Sequence, residues 1–211
     1  MLLHLYNQGN NQGLIFFNRE NYLFFLRKVK SHLIPSCDIL AWCLMPNHFH
    51  FLIWIEESPA PTNELTINAK HKRTTETKKL EESISTNSKF SNNLRIMLSS
   101  YTQAINKQNR TTGSLFRQNS KLKNLSSFIW NEQVNGRSNY ALNCFNYIHQ
   151  NPLKAGLVNK MEDWEFSSFQ DYMEMRPGKL INYGLAHEII NFDKDNFYSQ
   201  SYIIASEKGI F

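Results

Sequence analysis

The chain opens with a short, mostly apolar run, residues 2–7 (LLHLYN), followed by a glycine- and asparagine-rich stretch from Gly9 to Gly13. The first predicts a strand and the second a turn. From Glu20 to Leu33 the apolar positions Tyr22, Leu23, Leu26, Val29 and Leu33 recur at helical spacing, and Pro35 closes that helix. Residues 38–45 (DILAWCLM) and 48–55 (HFHFLIWI) are two β-prone runs separated only by Pro46 and Asn47, which predicts a tight antiparallel hairpin. The pattern then breaks. From Glu56 to about Phe90 the chain is almost free of aromatics and rich in Lys, Glu, Thr and Ser, the composition of a disordered or weakly helical surface insertion. Helical spacing returns at Leu94, Met97, Leu98, Tyr101 and Ile105. Leu115 to Leu125 alternates loosely and reads as a strand or extended segment. A further helix is expected over 138–149, ending before Pro152 because the residue preceding a proline is pushed out of the α region. The aromatic-rich stretch beyond Gly156 is expected to be irregular and to pack back on the core.

The order strand, helix, strand, strand, helix, strand, helix is that of an α+β, ferredoxin-like sandwich, with helices packed on a central antiparallel sheet. At 211 residues the chain has room for one such domain with additions. We place that domain at 1–158, with the polar insertion at about 57–90, and read 159–211 as an extension packed on it.

Composition narrows the function only a little. Lys and Arg exceed Asp and Glu by 23 to 18, and the pI near 9.0 permits a polyanionic partner without requiring one. Cys37, Cys43 and Cys144 lack any zinc-finger or CxxC spacing and read as buried thiols, so neither a disulfide framework nor a structural zinc site is expected. The N-terminus has no signal-peptide pattern and no run is long enough to span a membrane, from which a cytoplasmic location is expected.

The chemistry concentrates in two places. His48 and His50 lie two apart in the second hairpin strand, so both point to one face of the sheet while Phe49 points into packing. An isolated pair of this kind is more often a hydrogen-bonded surface pair than a metal site. Its flanks change that reading. Cys43-Leu44-Met45-Pro46-Asn47-His48-Phe49-His50-Phe51-Leu52-Ile53 resembles the signature region of the IS200-like HUH transposases, and in particular the branch associated with repetitive extragenic palindromes (REP). Tyr147 through Val158 (YIHQNPLKAGLV) resembles the tyrosine-helix motif of the same family. Fainter echoes are Gly9-Asn10-Asn11 with Ile15-Phe16-Phe17, Ser114 to Arg117, and Trp164 to Ser168. Together the resemblance covers nearly all the chain except the insertion at about 57–90.

The resemblance implies an HUH endonuclease fold and a single-tyrosine transposase. In such an enzyme Tyr147 attacks single-stranded DNA near a hairpin and leaves a covalent 5′-phosphotyrosine. His48 and His50 are implied as ligands of a divalent metal, Mg²⁺ or Mn²⁺. Asn151, four residues after Tyr147 and therefore on its helix face, is implied as a third ligand. Arg117, Lys121 and Lys123 fall where the family carries basic residues, and they read equally as phosphate contacts or as solvated surface charge. His149 is expected to project from another face of the helix and to be structural or DNA-facing. The expected partner is single-stranded or hairpin DNA, with no membrane partner, and both a homodimer and a monomer stay open. The other reading is a catalytically silent hairpin DNA- or RNA-binding module on the same fold.

Overall fold

The computed structural model describes residues 1–56, 89–126 and 140–203. The bulk of the polar insertion at about 57–90 therefore lies outside the described residues. Strands β1 (Leu2–Gln8), β2 (Asp38–Met45), β3 (His48–Trp54) and β4 (Lys121–Asn124) form one sheet in the order β2-β3-β1-β4, antiparallel throughout. Helix α1 (Arg19–His32) joins β1 to β2, and α2 (Lys89–Asn109) lies between β3 and β4. This is the β-α-β-β-α-β order of the ferredoxin-like sandwich. Helix α3 (Tyr140–Lys154) follows, and then three short helices, α4 (Phe169–Tyr172), α5 (Tyr183–Ile190) and α6 (Phe197–Ser201).

Strand alternation gives the sheet two faces with different fillings. Leu3, Leu5, Leu44, Phe49, Phe51 and Ile53 face α1 and α2 and join Phe25, Val29, Met97 and Tyr101 in one core cluster. Leu2, Leu40, Cys43, Met45 and Leu52 face the other way and join Cys144, Phe145, Ile148, Phe169 and Phe197 in a second. The second face is only partly apolar. On β1 and β3 it also carries His4, Tyr6, His48 and His50, and the site is built there.

Two boundaries differ from the sequence reading. The strand expected within Leu115–Leu125 is confined to Lys121–Asn124, and the residues before it are irregular but tied down, with Arg117 N–H donating to the Gln8 carbonyl at 2.9 Å. Helix α3 does not stop before Pro152 but runs through it to Lys154. Proline inside a helix removes one backbone hydrogen bond and costs about 3 kcal/mol. Here Cys144 through Pro152 are all buried, so packing holds the helical path. Asn151 also spends its amide on the helix, Nδ2 donating to the Tyr147 carbonyl at 2.9 Å.

The tail is largely irregular apart from its three short helices, and it packs back on the core. Its first part runs antiparallel beside β2, with Leu44 N–H donating to the Phe166 carbonyl and Ser168 N–H to the Trp42 carbonyl, both at 2.9 Å. Arg176 clamps this segment by donating to the carbonyls of Glu165 and Ser167 at 2.6 Å and pairing with the Asp171 carboxylate. Burial holds the Asp171 carboxyl above its ordinary range in spite of Arg176. Cys37, Cys43 and Cys144 are buried free thiols. No described helix is long and apolar enough to cross a membrane.

Candidate active site

The site begins with the β2–β3 turn. Pro46 and Asn47 turn the chain in two residues, and the loop after β1 locks that turn: Gly9 N–H donates to the Asn47 carbonyl, and Ile15 N–H to the Pro46 carbonyl, both at 2.8 Å. Gly9 is required at its position, because a Cβ there would stand 2.1 Å from the Gly13 carbonyl oxygen. Tyr101 Oη donates to the Ile15 carbonyl at 2.7 Å, and Phe116 packs against Phe25, Phe49 and Tyr101. The fainter sequence echoes at 9–17 and 114–117 are thus the braces of the hairpin turn.

From that turn β3 presents His48 and His50 on one face, ring centroids 5.0 Å apart, while Phe49 is fully buried on the opposite face. Asn47 Oδ1 stands 2.7 Å from His48 Nδ1. Burial lowers the pKa of His48, and a hydrogen bond with the Asn151 side chain pulls partly against that. His50 is more deeply enclosed, and burial, with His4 and His48 beside it, pushes its pKa well down. Both shifts favour the neutral imidazole, the form that binds a metal.

Helix α3 lies across this face and brings Tyr147 edge-on to His50, ring centroids 5.6 Å apart. Tyr147 is 5% exposed, and the Lys154 ammonium stands 5.4 Å from its ring centre. The spacing that places Asn151 one turn after Tyr147 also carries it to His48. The structure therefore brings together His48, His50, Asn151 and Tyr147. Among the described residues no group of three or more His, Cys, Asp or Glu side chains is arranged to hold a metal ion. A metal at this place would be held by two imidazoles and one amide, a donor set that fits Mn²⁺ well and Mg²⁺ less well.

The basic residues divide. Lys121 and Lys123 stand opposite Tyr6 and His4 in the β1–β4 register, which puts them on the tyrosine face. Lys121 is exposed, and Lys123 lies over the Tyr140 ring at 5.1 Å. Arg117 is exposed in the segment before β4. His149 is fully buried away from the site, its Nε2 2.8 Å from Ser168 Oγ, and burial lowers its pKa to about 3. Ser168 Oγ also accepts from Trp42 N–H at 2.9 Å, so Ser168, the last residue of the Trp164 to Ser168 echo, ties the tyrosine helix to β2.

Sequence reasoning missed His4 and Tyr6. His4 Nε2 is 2.9 Å from His50 Nδ1, with the two rings stacked, and its own burial lowers its pKa to about 3. The signal was available: in residues 2–6 the polar His4 occupies the inward position between Leu2 and Tyr6 on a single strand face.

The molecule is thus an α+β sandwich whose four-stranded antiparallel sheet carries a histidine pair on β3 with the buried tyrosine helix packed across it. Among solved structures, the chain matches that of a REP-associated tyrosine transposase bound to a REP hairpin, with a TM-score of 0.51 over 82% of this chain and 78% of that one, at 16% identity. At that identity the likeness is one of fold, and the chain has the α+β fold of that transposase. No family model matches the chain, and no curated protein does.

Proposed function

We propose that this chain is a single-tyrosine HUH transposase of the IS200-like, REP-associated kind, which cleaves and rejoins single-stranded DNA beside a hairpin. The observation that carries the reading is the convergence of Tyr147 with His48, His50 and Asn151 on a fold shared with a hairpin-bound tyrosine transposase.

Tyr147 Oη attacks the scissile phosphorus. A bond forms between Oη and phosphorus, the bond from phosphorus to the 3′-oxygen breaks, the phenolic proton is released and the departing oxygen takes one up as a 3′-hydroxyl. The product is a 5′-phosphotyrosine. Attack by a later 3′-hydroxyl reverses the same bond changes, so rejoining needs no ATP. A phenol is a weak nucleophile at neutral pH because its ordinary pKa is near 10. The Lys154 ammonium beside the ring favours the developing phenolate. His48, His50 and Asn151 would hold the divalent ion, which when bound supplies Lewis-acid polarisation of the scissile phosphate. Lys121 and Lys123 project from β4 on the same face, and in this reading they and Arg117 contact the DNA backbone.

The test is incubation of the protein and its Tyr147→Phe variant with labelled single-stranded hairpin DNA from the flanks of its own gene, with Mg²⁺ or Mn²⁺, followed by a denaturing gel. The expected result is a metal-dependent covalent adduct with the unmutated protein and none with Tyr147→Phe. An adduct that survives the substitution removes Tyr147 from the role. Binding by both proteins with no adduct from either would leave a hairpin-binding module.

A further inference from the structure

The least explained buried group on the site face is His4. Its ring is fully enclosed between Tyr6, His50 and Tyr147, at centroid separations of 4.9, 5.1 and 6.5 Å. Nε2 meets His50 Nδ1 at 2.9 Å, whereas Nδ1 has no hydrogen-bond partner among the described residues. A buried imidazole with one nitrogen unmet costs the fold stability that a leucine in the same place would not. The arrangement therefore calls for an explanation in what His4 does to His50.

Two neutral imidazoles joined by one N–H···N bond have two proton arrangements. If His4 Nε2 carries the shared proton, His50 Nδ1 accepts it and the His50 proton sits on Nε2. If His50 Nδ1 carries it, Nε2 of His50 holds a bare lone pair and His4 is the acceptor. Only the second arrangement gives His50 a nitrogen that can bind a metal while the contact with His4 is kept.

We propose that His4 is the positioning residue for His50, accepting the Nδ1 proton so that the His50 ring is fixed in orientation with Nε2 free to bind the divalent ion. This rests on the metal-centred reading above. His4 touches neither metal nor DNA in it and acts wholly through His50. In this arrangement the His4 proton sits on Nδ1, the nitrogen with no hydrogen-bond partner among the described residues.

The experiment uses the full chain in three forms: unmutated, His4→Leu and His4→Gln, the last keeping a side-chain acceptor. Mn²⁺ affinity is read by electron paramagnetic resonance without DNA, and the ring protons are located by ¹⁵N resonance of labelled histidine with and without Mg²⁺. His4→Leu is expected to weaken Mn²⁺ binding by about tenfold or more, in the range seen when such supporting partners are lost, and His4→Gln is expected to restore most of it. In the unmutated protein with Mg²⁺, the proton is expected on His50 Nδ1 with a through-hydrogen-bond coupling to His4 Nε2. Equal Mn²⁺ affinity in the unmutated and His4→Leu proteins overturns the role of His4 and leaves the metal site standing. Failure of the unmutated protein to bind Mn²⁺ overturns the metal-centred reading and this inference with it. Should His4→Leu not fold, the resonances of the unmutated protein decide: a His50 proton on Nε2 in the Mg²⁺-loaded state overturns the proposal.

Discussion

Gly9 contributes no side chain and still decides where His48 stands. Its amide holds the Asn47 carbonyl, Asn47 contacts His48 Nδ1 through its own side chain, and the approach of Gly9 to the Gly13 carbonyl excludes any Cβ. Gly9→Ala must push backbone against backbone, and a cost of about 1–3 kcal/mol is expected, the range for overpacked sites. Urea denaturation checks this, and a change below the error of the midpoint would show that the loop yields freely. The residue scale is also where the sequence was most and least informative. The placement of His48 and His50 on one face follows from strand periodicity, and that of Asn151 beside Tyr147 from helical periodicity. That His4 approaches His50 depends on how β1 pairs with β3, and no local spacing encodes the register of two strands separated by a helix and a third strand.

Among the elements, the hairpin and both core helices were legible to within a few residues, because β2 and β3 are long β-prone runs and α1 and α2 repeat apolar positions at helical spacing. The end of α3 was not. The rule that a helix stops before proline weighs local sterics alone, and in α3 burial from Cys144 through Pro152 outweighs it. The same helix sets an acid limit on the fold. His149 sits on it fully buried, with a pKa near 3 against an ordinary value of 6.5. Above pH 6.5 folded and unfolded chains both carry the ring neutral, and its contribution is complete. As the pH falls from 6.5 toward 3 only the unfolded chain takes up the proton, so stability drops by about 1.4 kcal/mol per pH unit for this ring, and His4 adds a loss in the same window. Urea midpoints measured at pH 7, 6 and 5 should fall steadily, and His149→Gln should shallow that slope by one proton. A slope unchanged by the substitution would mean that the ring titrates in the folded protein near its ordinary value.

Across the whole molecule, the modest positive charge says less than its placement. Lys121 and Lys123 stand on the tyrosine face and Arg117 just before them in the chain. If the DNA backbone crosses there, Lys121→Ala with Lys123→Ala should lower the slope of log affinity against log salt by about 0.9 per lost phosphate contact on duplex and about 0.7 on single strand. Hairpin binding titrated at several salt concentrations checks this, and an unchanged slope would assign both lysines to solvated surface charge. The fold class was legible at this scale because element order nearly fixes the topology of a small α+β sandwich. That the tail packs on the core was legible, but its place beside β2 was not, since residues 164–182 carry no periodic pattern and contacts with β2 at residues 166–168 and 181–182 seat them.

That seating has a consequence for how the protein meets copies of itself. A sheet edge is a row of unspent backbone donors and acceptors that will take any strand on offer. β2 has the sequence DILAWCLM, the most apolar of the four strands, and would be the more adhesive edge. In the folded chain residues 166–168 occupy part of it, with Arg176 and Asp171 fastening the cover. The opposite edge is β4, a four-residue strand with two lysines. One edge is thus covered by a bolted flap and the other is short and charged, so loosening the flap would bare the more adhesive of the two.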